Sequence, residues 1–171
     1  MARRNSNSHS PRLLFRECIS DYAIRDALLQ HAEHIRGRVL DLGCGSRPYE
    51  SHFQGRVDSW VGLDMPVPGE MNTHLPHLVA DAQSLPLTSE SFDTVLCTQV
   101  LEHVPEPLEL LREVRRVLKS DGRLVLTAPQ YNGLHGEPRD FYRYTCYGLE
   151  HLGRKAGMQI ELIEPDRKSV V

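Results

Sequence analysis

Short, nearly continuous apolar runs alternate along this chain with stretches in which apolar residues recur every three or four positions. Val39-Leu40-Asp41-Leu42, Trp60–Asp64, Leu78–Asp81, Phe92–Thr98, Arg123–Ala128 and Met158–Ile163 read as strands, and the fully apolar runs suit strands covered on both faces. Helical spacing fills the intervals. Ile19, Ala23, Ala27 and Leu28 place a helix between Ile19 and Ile35, stopped by Gly37, and a weak helix is expected around Tyr49 to Phe53. Pro105 and Pro107 start a strong helix over Pro107–Leu118 with a stripe of Leu108, Leu111, Val114 and Leu118. Thr145 caps a last helix that runs to Ala156 and ends at Gly157. Ser120-Asp121-Gly122 reads as a turn before the fifth strand.

Strands alternating with helices predict an α/β fold: a Rossmann-like, doubly wound, mostly parallel sheet in a three-layer α/β/α arrangement. Ligands bind at the carboxyl ends of such strands, and Asp41, Asp64 and Asp81 fall inside or at the ends of three successive ones. Residues 1–12 are polar and are expected to be a disordered tail, with 13–171 forming a single domain.

Composition narrows the picture by exclusion. At 171 residues, 40% hydrophobic and 25% charged, the balance is that of an ordinary globular domain. A net charge of -3 gives no electrostatic footprint for nucleic acid. No apolar stretch approaches the ~20 residues of a membrane span, and no apolar leader core follows the N-terminal arginines. Cys18, Cys44, Cys97 and Cys146 form no C-x-x-C pair, which argues against a zinc or redox site and fits a reducing, cytoplasmic setting. Cys97 reads as core. The pairs His31/His34 and His74/His77 lack a placed third ligand and read as surface histidines.

The first strand runs straight into Gly43-Cys44-Gly45, where paired glycines allow a tight turn and close approach of a ligand. Asp64 lies about 20 residues beyond Gly45 at the next strand end, where a carboxylate can accept from both hydroxyls of a ribose. Asp81 ends the following strand and can accept from an adenine amino group, with the Ala82 N–H alongside. Arg47 stands where a third glycine is common, and Pro48 occupies the third position of G-x-G-x-x-G, which argues against a pyrophosphate on a helix N-terminus. No G-K-[ST] follows, so a P-loop is excluded.

The stretches VLDLGCGSRPYE (39–50), VGLDM (61–65), VADAQSLPLTSESFDTVLCTQVLEHVPEP (79–107) and LKSDGRLVLTAP (118–129) together resemble the class I S-adenosylmethionine-dependent methyltransferases, in the broad group that includes quinone-biosynthesis methyltransferases. The resemblance implies S-adenosylmethionine as cofactor. It puts Gly43, Cys44 and Gly45 beside the methionine part, Asp41 near its amino group, Asp64 on the ribose and Met65 against the adenine. It further puts Asp81 and Ala82 on the adenine edge and Gln99 beside the sulfonium, with Leu101-Glu102-His103-Val104 lining the site. That family normally ends with an antiparallel strand beside the fifth. Here the chain reaches Val171 soon after the sixth strand, so the fold is expected to be short of that strand. The open edge would be covered by a homodimer or another partner, or leave the fold marginally stable.

The segment His135 to Thr145 resembles an H-x-x-P-x-D-F-x-R-Y-T pattern of one bacterial branch. A loop there can cover the cofactor, with His135, Asp140, Tyr142, Arg143 and Tyr144 as candidate acceptor contacts, although Asp140 can instead pair with Arg143 and Phe141 can pack the loop down. Methyl transfer is an in-line displacement that needs alignment and water exclusion. For a hydroxyl acceptor a base helps, and His135 is the first candidate, His103 the second, with Asp140 and Tyr144 completing the catalytic set. No metal is required. The expected function is methyl transfer to a small molecule at an O, N or C atom. An inactive or truncated cofactor-binding module and, less favoured, a nicotinamide-dependent oxidoreductase are the alternatives.

Overall fold

A computed structural model of the chain describes residues 12–16, 21–65 and 76–164, with 13–16 described by their backbone. In chain order the elements are β1 (Arg12–Arg16), α1 (Asp21–Gln30), β2 (Gly37–Leu42), β3 (Val57–Asp64), β4 (Leu78–Val79), β5 (Phe92–Thr98), α2 (Pro107–Val117), β6 (Leu118–Thr127), α3 (Cys146–Lys155) and β7 (Gln159–Glu164). One-turn 3-10 helices lie at Ala32–His34, Glu50–Phe53 and Leu101–His103.

Alternation along the central strands divides the core into two layers. Val39, Leu96 and Val125 pack with Ile24, Ala27 and Leu28 of α1 on one face. Their neighbours Leu40, Val95, Cys97, Leu124 and Leu126 face the other way, onto Leu110, Leu111, Val114 and Val117 of α2 and Leu149 of α3. The three-layer α/β/α expectation is met. Among the described residues no helix is long and apolar enough to cross a membrane.

The sheet order is β4-β3-β2-β5-β6-β1-β7, and every pairing is parallel. The chain moves outward from β2 to β3 and β4, then returns to β5 on the other side of β2. That reversal opens a crevice past the carboxyl ends of β2 and β5.

Several boundaries moved. The first helix spans Asp21–Gln30 followed by the 3-10 turn, and Ile19 lies outside the described residues. The predicted turn at Ser120-Asp121-Gly122 is an irregularity within one strand. Leu118 already pairs with Phe92, and the register then jumps to Thr94 opposite Arg123. The caps at Pro107 and Thr145 are as expected, and the Thr145 side chain accepts from the Gly148 N–H.

The open edge expected beside the fifth predicted strand is overturned. Residues 12–16 form β1, which pairs with β6 on one side and with β7 on the other. Arg12 therefore belongs to the sheet and not to a tail, while residues 1–11 lie outside the described residues. With β6 paired on both sides, the reason for a partner or homodimer at that edge falls away. The sheet's described outer strands are β4 and β7.

Candidate active site

The turn after β2 is fixed by two demands that glycine alone meets. Gly43 adopts φ +70, and a Cβ there would collide with the Val100 Cγ2. The N–H groups of Gly43 and Cys44 both reach the Leu63 carbonyl, at 2.8 and 3.2 Å, so the turn leans onto β3. Gly45, at φ +48, faces open space: a Cβ on it would meet nothing within 4 Å. The Cys44 thiol is buried against Gly62, and burial pushes it up to about 12. Cys44 therefore contributes packing beneath the turn.

Asp64, at the tip of β3, is held from two directions. Gly45 N–H donates to Oδ2 at 2.7 Å and Met65 N–H to Oδ1 at 2.7 Å. Each carboxylate oxygen keeps acceptor capacity for a further donor. Asp41 is 1% exposed. Trp60 Nε1 donates to its Oδ2 at 3.3 Å, while Oδ1 is buried without a partner. Burial pushes the Asp41 carboxyl up to about 7, opposed by the Trp60 hydrogen bond and reinforced by the Asp64 charge. A cationic group reaching Oδ1 would relieve that site.

Asp81 is exposed just past β4, where Oδ1 accepts from the Gln83 N–H at 2.8 Å, and Ala82 is half-buried against the core. Gln99 follows β5 at φ +53, its N–H donating to the Thr127 carbonyl and its Nε2 to Thr127 Oγ1 at 3.2 Å. Gly43, Gly45, Asp41, Asp64 and Gln99 thus gather around the crevice between β2, β3 and β5.

The 130–145 segment is strapped onto the 3-10 turn that follows Gln99. The N–H groups of Phe141 and Tyr142 donate to the Glu102 carbonyl at 2.8 and 3.3 Å. Tyr142 and Tyr144 hydroxyls donate to the carbonyls of Pro105 and Leu101, each at 2.9 Å. Arg143 grips Asp140 through both oxygens at 2.6 and 2.8 Å and also donates to the Asn132 and Gly133 carbonyls. That bidentate pair holds the Asp140 carboxyl, 2% exposed, well below the usual carboxylate range.

These contacts revise the catalytic set. Asp140 is saturated by Arg143 and the His135 N–H, and the buried Tyr144 hydroxyl is committed to a carbonyl and raised by burial. Both hold the loop in place. Phe141 is exposed, so the expected packing role passes to the buried Tyr144. The two histidines do converge: the His103 and His135 rings meet edge to face at 4.8 Å.

Sequence reasoning placed Glu102 in a lining segment without singling it out. Its side chain is 0% exposed and lies between those imidazoles. An acid between two apolar residues after a strand was the available signal, since Leu101 and Val104 are core. His77 is exposed, as its reading as a surface residue expects, and accepts from the Gly62 N–H at 2.9 Å; His74 lies outside the described residues.

Comparison with known proteins fits this geometry. Residues 40–126 match the methyltransferase domain family. An uncharacterized methyltransferase of Mycobacterium avium (strain 104) is 33% identical over 115 residues, which cover 62% of this chain and 45% of that protein. The chain thus spans less than half the length of the curated relatives it matches. Among solved structures, the YcgJ protein of Bacillus subtilis aligns at a TM-score of 0.51 with 28% identity, over 61% of this chain and 50% of the other. A SAM-dependent methyltransferase from Archaeoglobus fulgidus shares the fold at a TM-score of 0.65 with 20% identity, over 81% of this chain and 69% of the other. More than half of the chain lies inside the family match, so the chain belongs to the methyltransferase domain family.

Proposed function

We propose that this domain binds S-adenosylmethionine across the tips of β2, β3 and β4 and transfers its methyl group to a small molecule held beneath the 130–145 segment. The observation that carries the reading is Asp64, pinned by the Gly45 and Met65 N–H groups with lone pairs left for two ribose hydroxyls. The unpartnered Asp41 Oδ1 fits an ammonium, and the space above Gly45 admits a chain passing close to the backbone. In this reading Met65 and Ala82 flank the adenine, Asp81 accepts from its amino group, and Gln99 borders the methionine part with the backbone of Gly43 and Cys44. Residues 46–49 form no helix before the single 3-10 turn Glu50–Phe53, so a pyrophosphate would lack a helix N-terminus, which disfavours a nicotinamide dinucleotide.

When bound, adenosylmethionine supplies a methyl group on a positively charged, readily leaving sulfur. The protein's part is to align the acceptor, exclude water and accept a proton where the acceptor carries one. His135 is the leading base and His103 the second, because each Nδ1 faces a backbone carbonyl and leaves Nε2 free. Asp140 and Tyr144 act as positioning residues through Arg143 and the Leu101 carbonyl. The free thiols of Cys44, Cys97 and Cys146 favour a reducing compartment, the cytoplasm.

Calorimetric titration with adenosylmethionine, adenosylhomocysteine and NAD tests the reading. Saturable binding of the first two with no NAD binding is expected, and NAD binding alone overturns it. On a panel of hydroxylated small molecules, followed by adenosylhomocysteine release, His135→Ala should cut turnover about 100-fold. Adenosylhomocysteine affinity should stay unchanged, and its loss would assign His135 to the cofactor.

A further inference from the structure

We infer that Glu102, His103 and His135 form a binding site for a divalent first-row transition-metal ion of the zinc, cobalt or manganese class. Glu102 Oε1 lies 3.9 Å from His103 Nε2 and 3.8 Å from His135 Nε2, and the three donor atoms all fall within 4.8 Å of one another. Those separations are too long for direct hydrogen bonds. They come close to the spacing of about 3.4 Å that tetrahedral ligands show at metal distances of about 2.1 Å.

Glu102 supplies the second, independent observation. Its side chain is 0% exposed, and neither carboxylate oxygen has a hydrogen-bond partner. A buried carboxylate with no donor is costly, and a cation between it and the two imidazoles removes that cost.

The histidines are also oriented as ligands. His103 Nδ1 lies 2.6 Å from the Arg139 carbonyl, and His135 Nδ1 lies 3.1 Å from the Gly133 carbonyl. A carbonyl oxygen only accepts, so His103 Nδ1 carries the proton and leaves its Nε2 lone pair toward Glu102; His135 Nδ1 faces the Gly133 carbonyl at 3.1 Å and the Arg143 Nη2 donor farther off at 3.5 Å, and the nearer carbonyl favours the same tautomer. This arrangement of an outer carbonyl, an imidazole and an open lone pair is how metal-binding histidines are fixed. The frame around them is rigid. A Cβ at Gly136 would press on the His103 Cε1 at 2.9 Å, and the Asp140–Arg143 pair anchors the His135 N–H.

Two imidazole nitrogens with one carboxylate select first-row transition ions over magnesium or calcium, which prefer all-oxygen shells. Three protein donors leave coordination positions open, as in catalytic and not structural sites. An acceptor hydroxyl could occupy one of them and be acidified there, with the imidazoles then acting as ligands. That extension rests on the methyl-transfer reading; ion binding does not.

The test is titration of the chelator-treated full chain with Co2+, followed by visible ligand-field absorption and by displacement with Zn2+, with no adenosyl ligand present. One Co2+ per chain is expected. Glu102→Gln, His103→Ala and His135→Ala should each weaken binding about 100-fold or more, with folding checked by melting temperature. His31, Glu33 and His34 form a second cluster with donor atoms within 4.8 Å, so His34→Ala is the control and should leave the absorption unchanged. Absence of Co2+ binding, binding that survives His135→Ala in a folded protein, or binding lost with His34→Ala would each overturn the site. Because the readout needs no cofactor, failure of adenosylhomocysteine binding would leave it standing.

Discussion

Asp64 and Glu102 are both acids placed just past the carboxyl end of a central strand, and the chain treats them in opposite ways. Asp64 is half-exposed and receives two backbone N–H groups at 2.7 Å each, one per oxygen. Glu102 is buried with neither oxygen partnered. Burial pushes the Glu102 carboxyl up to about 7. A carboxylate already satisfied by amides is ready to accept neutral hydroxyls. One left bare between imidazoles is ready for a cation or a proton. On the proposed function the two halves of the crevice would serve different chemistry: one would hold a ligand by hydrogen bonds, the other would activate the acceptor.

The largest expected break of the first half comes from Gly43→Ala. A left-handed non-glycine residue costs about 1–2 kcal/mol, and the collision with Val100 adds a comparable overpacking penalty, for about 2–4 kcal/mol in all. The melting temperature should fall by about 4–16 °C. An unchanged melting temperature would mean that the turn after β2 has another conformation.

A smaller effect of opposite sign sharpens the contrast. Asp41 holds a proton in the folded chain up to about pH 7, where the unfolded chain has released it near 3.8. The folded state therefore binds more protons across that window. Asp41's contribution to stability is full below pH 4 and is lost as the pH rises through about 7. Asp41→Asn should raise the stability of the ligand-free protein at pH 8 by about 1–2 kcal/mol, less than the ceiling of about 4 kcal/mol set by the full shift, because the amide is desolvated too. It should flatten the pH dependence between 4 and 7, seen by thermal melts, and weaken adenosylmethionine binding. Destabilisation at pH 8 would contradict the burial argument.

The mildest change probes the second half. Arg143→Lys keeps the charge but loses the two-pronged grip on Asp140 and the bonds to Asn132 and Gly133. Turnover should fall about tenfold with adenosylhomocysteine affinity unchanged, since none of those contacts reaches the strand tips. A parallel loss of affinity would show the two halves to be one coupled unit.

What the sequence made legible followed local rules. Phe92–Thr98 is apolar throughout and forms β5 over those same residues, and Pro107 and Thr145 mark helix starts by capping chemistry. The glycine spacing and the strand-end acids put Gly45 and Asp64 beside one expected ligand, and the bond between them follows from the neighbouring strand tips. What stayed hidden depends on distant partners. β1 is five residues long, begins and ends with arginine, and becomes a strand only because β6 and β7 leave a gap that its backbone fills. Glu102 looked like one more polar residue in a loop, and its burial is created by a segment about forty residues downstream folding over it. The commitment of Tyr144 to a carbonyl likewise cannot be read from spacing, since Leu101 lies 43 positions away.

The central claim, that an adenosyl ligand is gripped at Asp64, is tested most directly by titrating adenosylhomocysteine calorimetrically into the unaltered chain and into Asp64→Ala. Losing two charge-assisted ribose hydrogen bonds should weaken binding about 100-fold, or about 2.7 kcal/mol, with the protein still folded. Equal affinity in the two proteins would contradict the account.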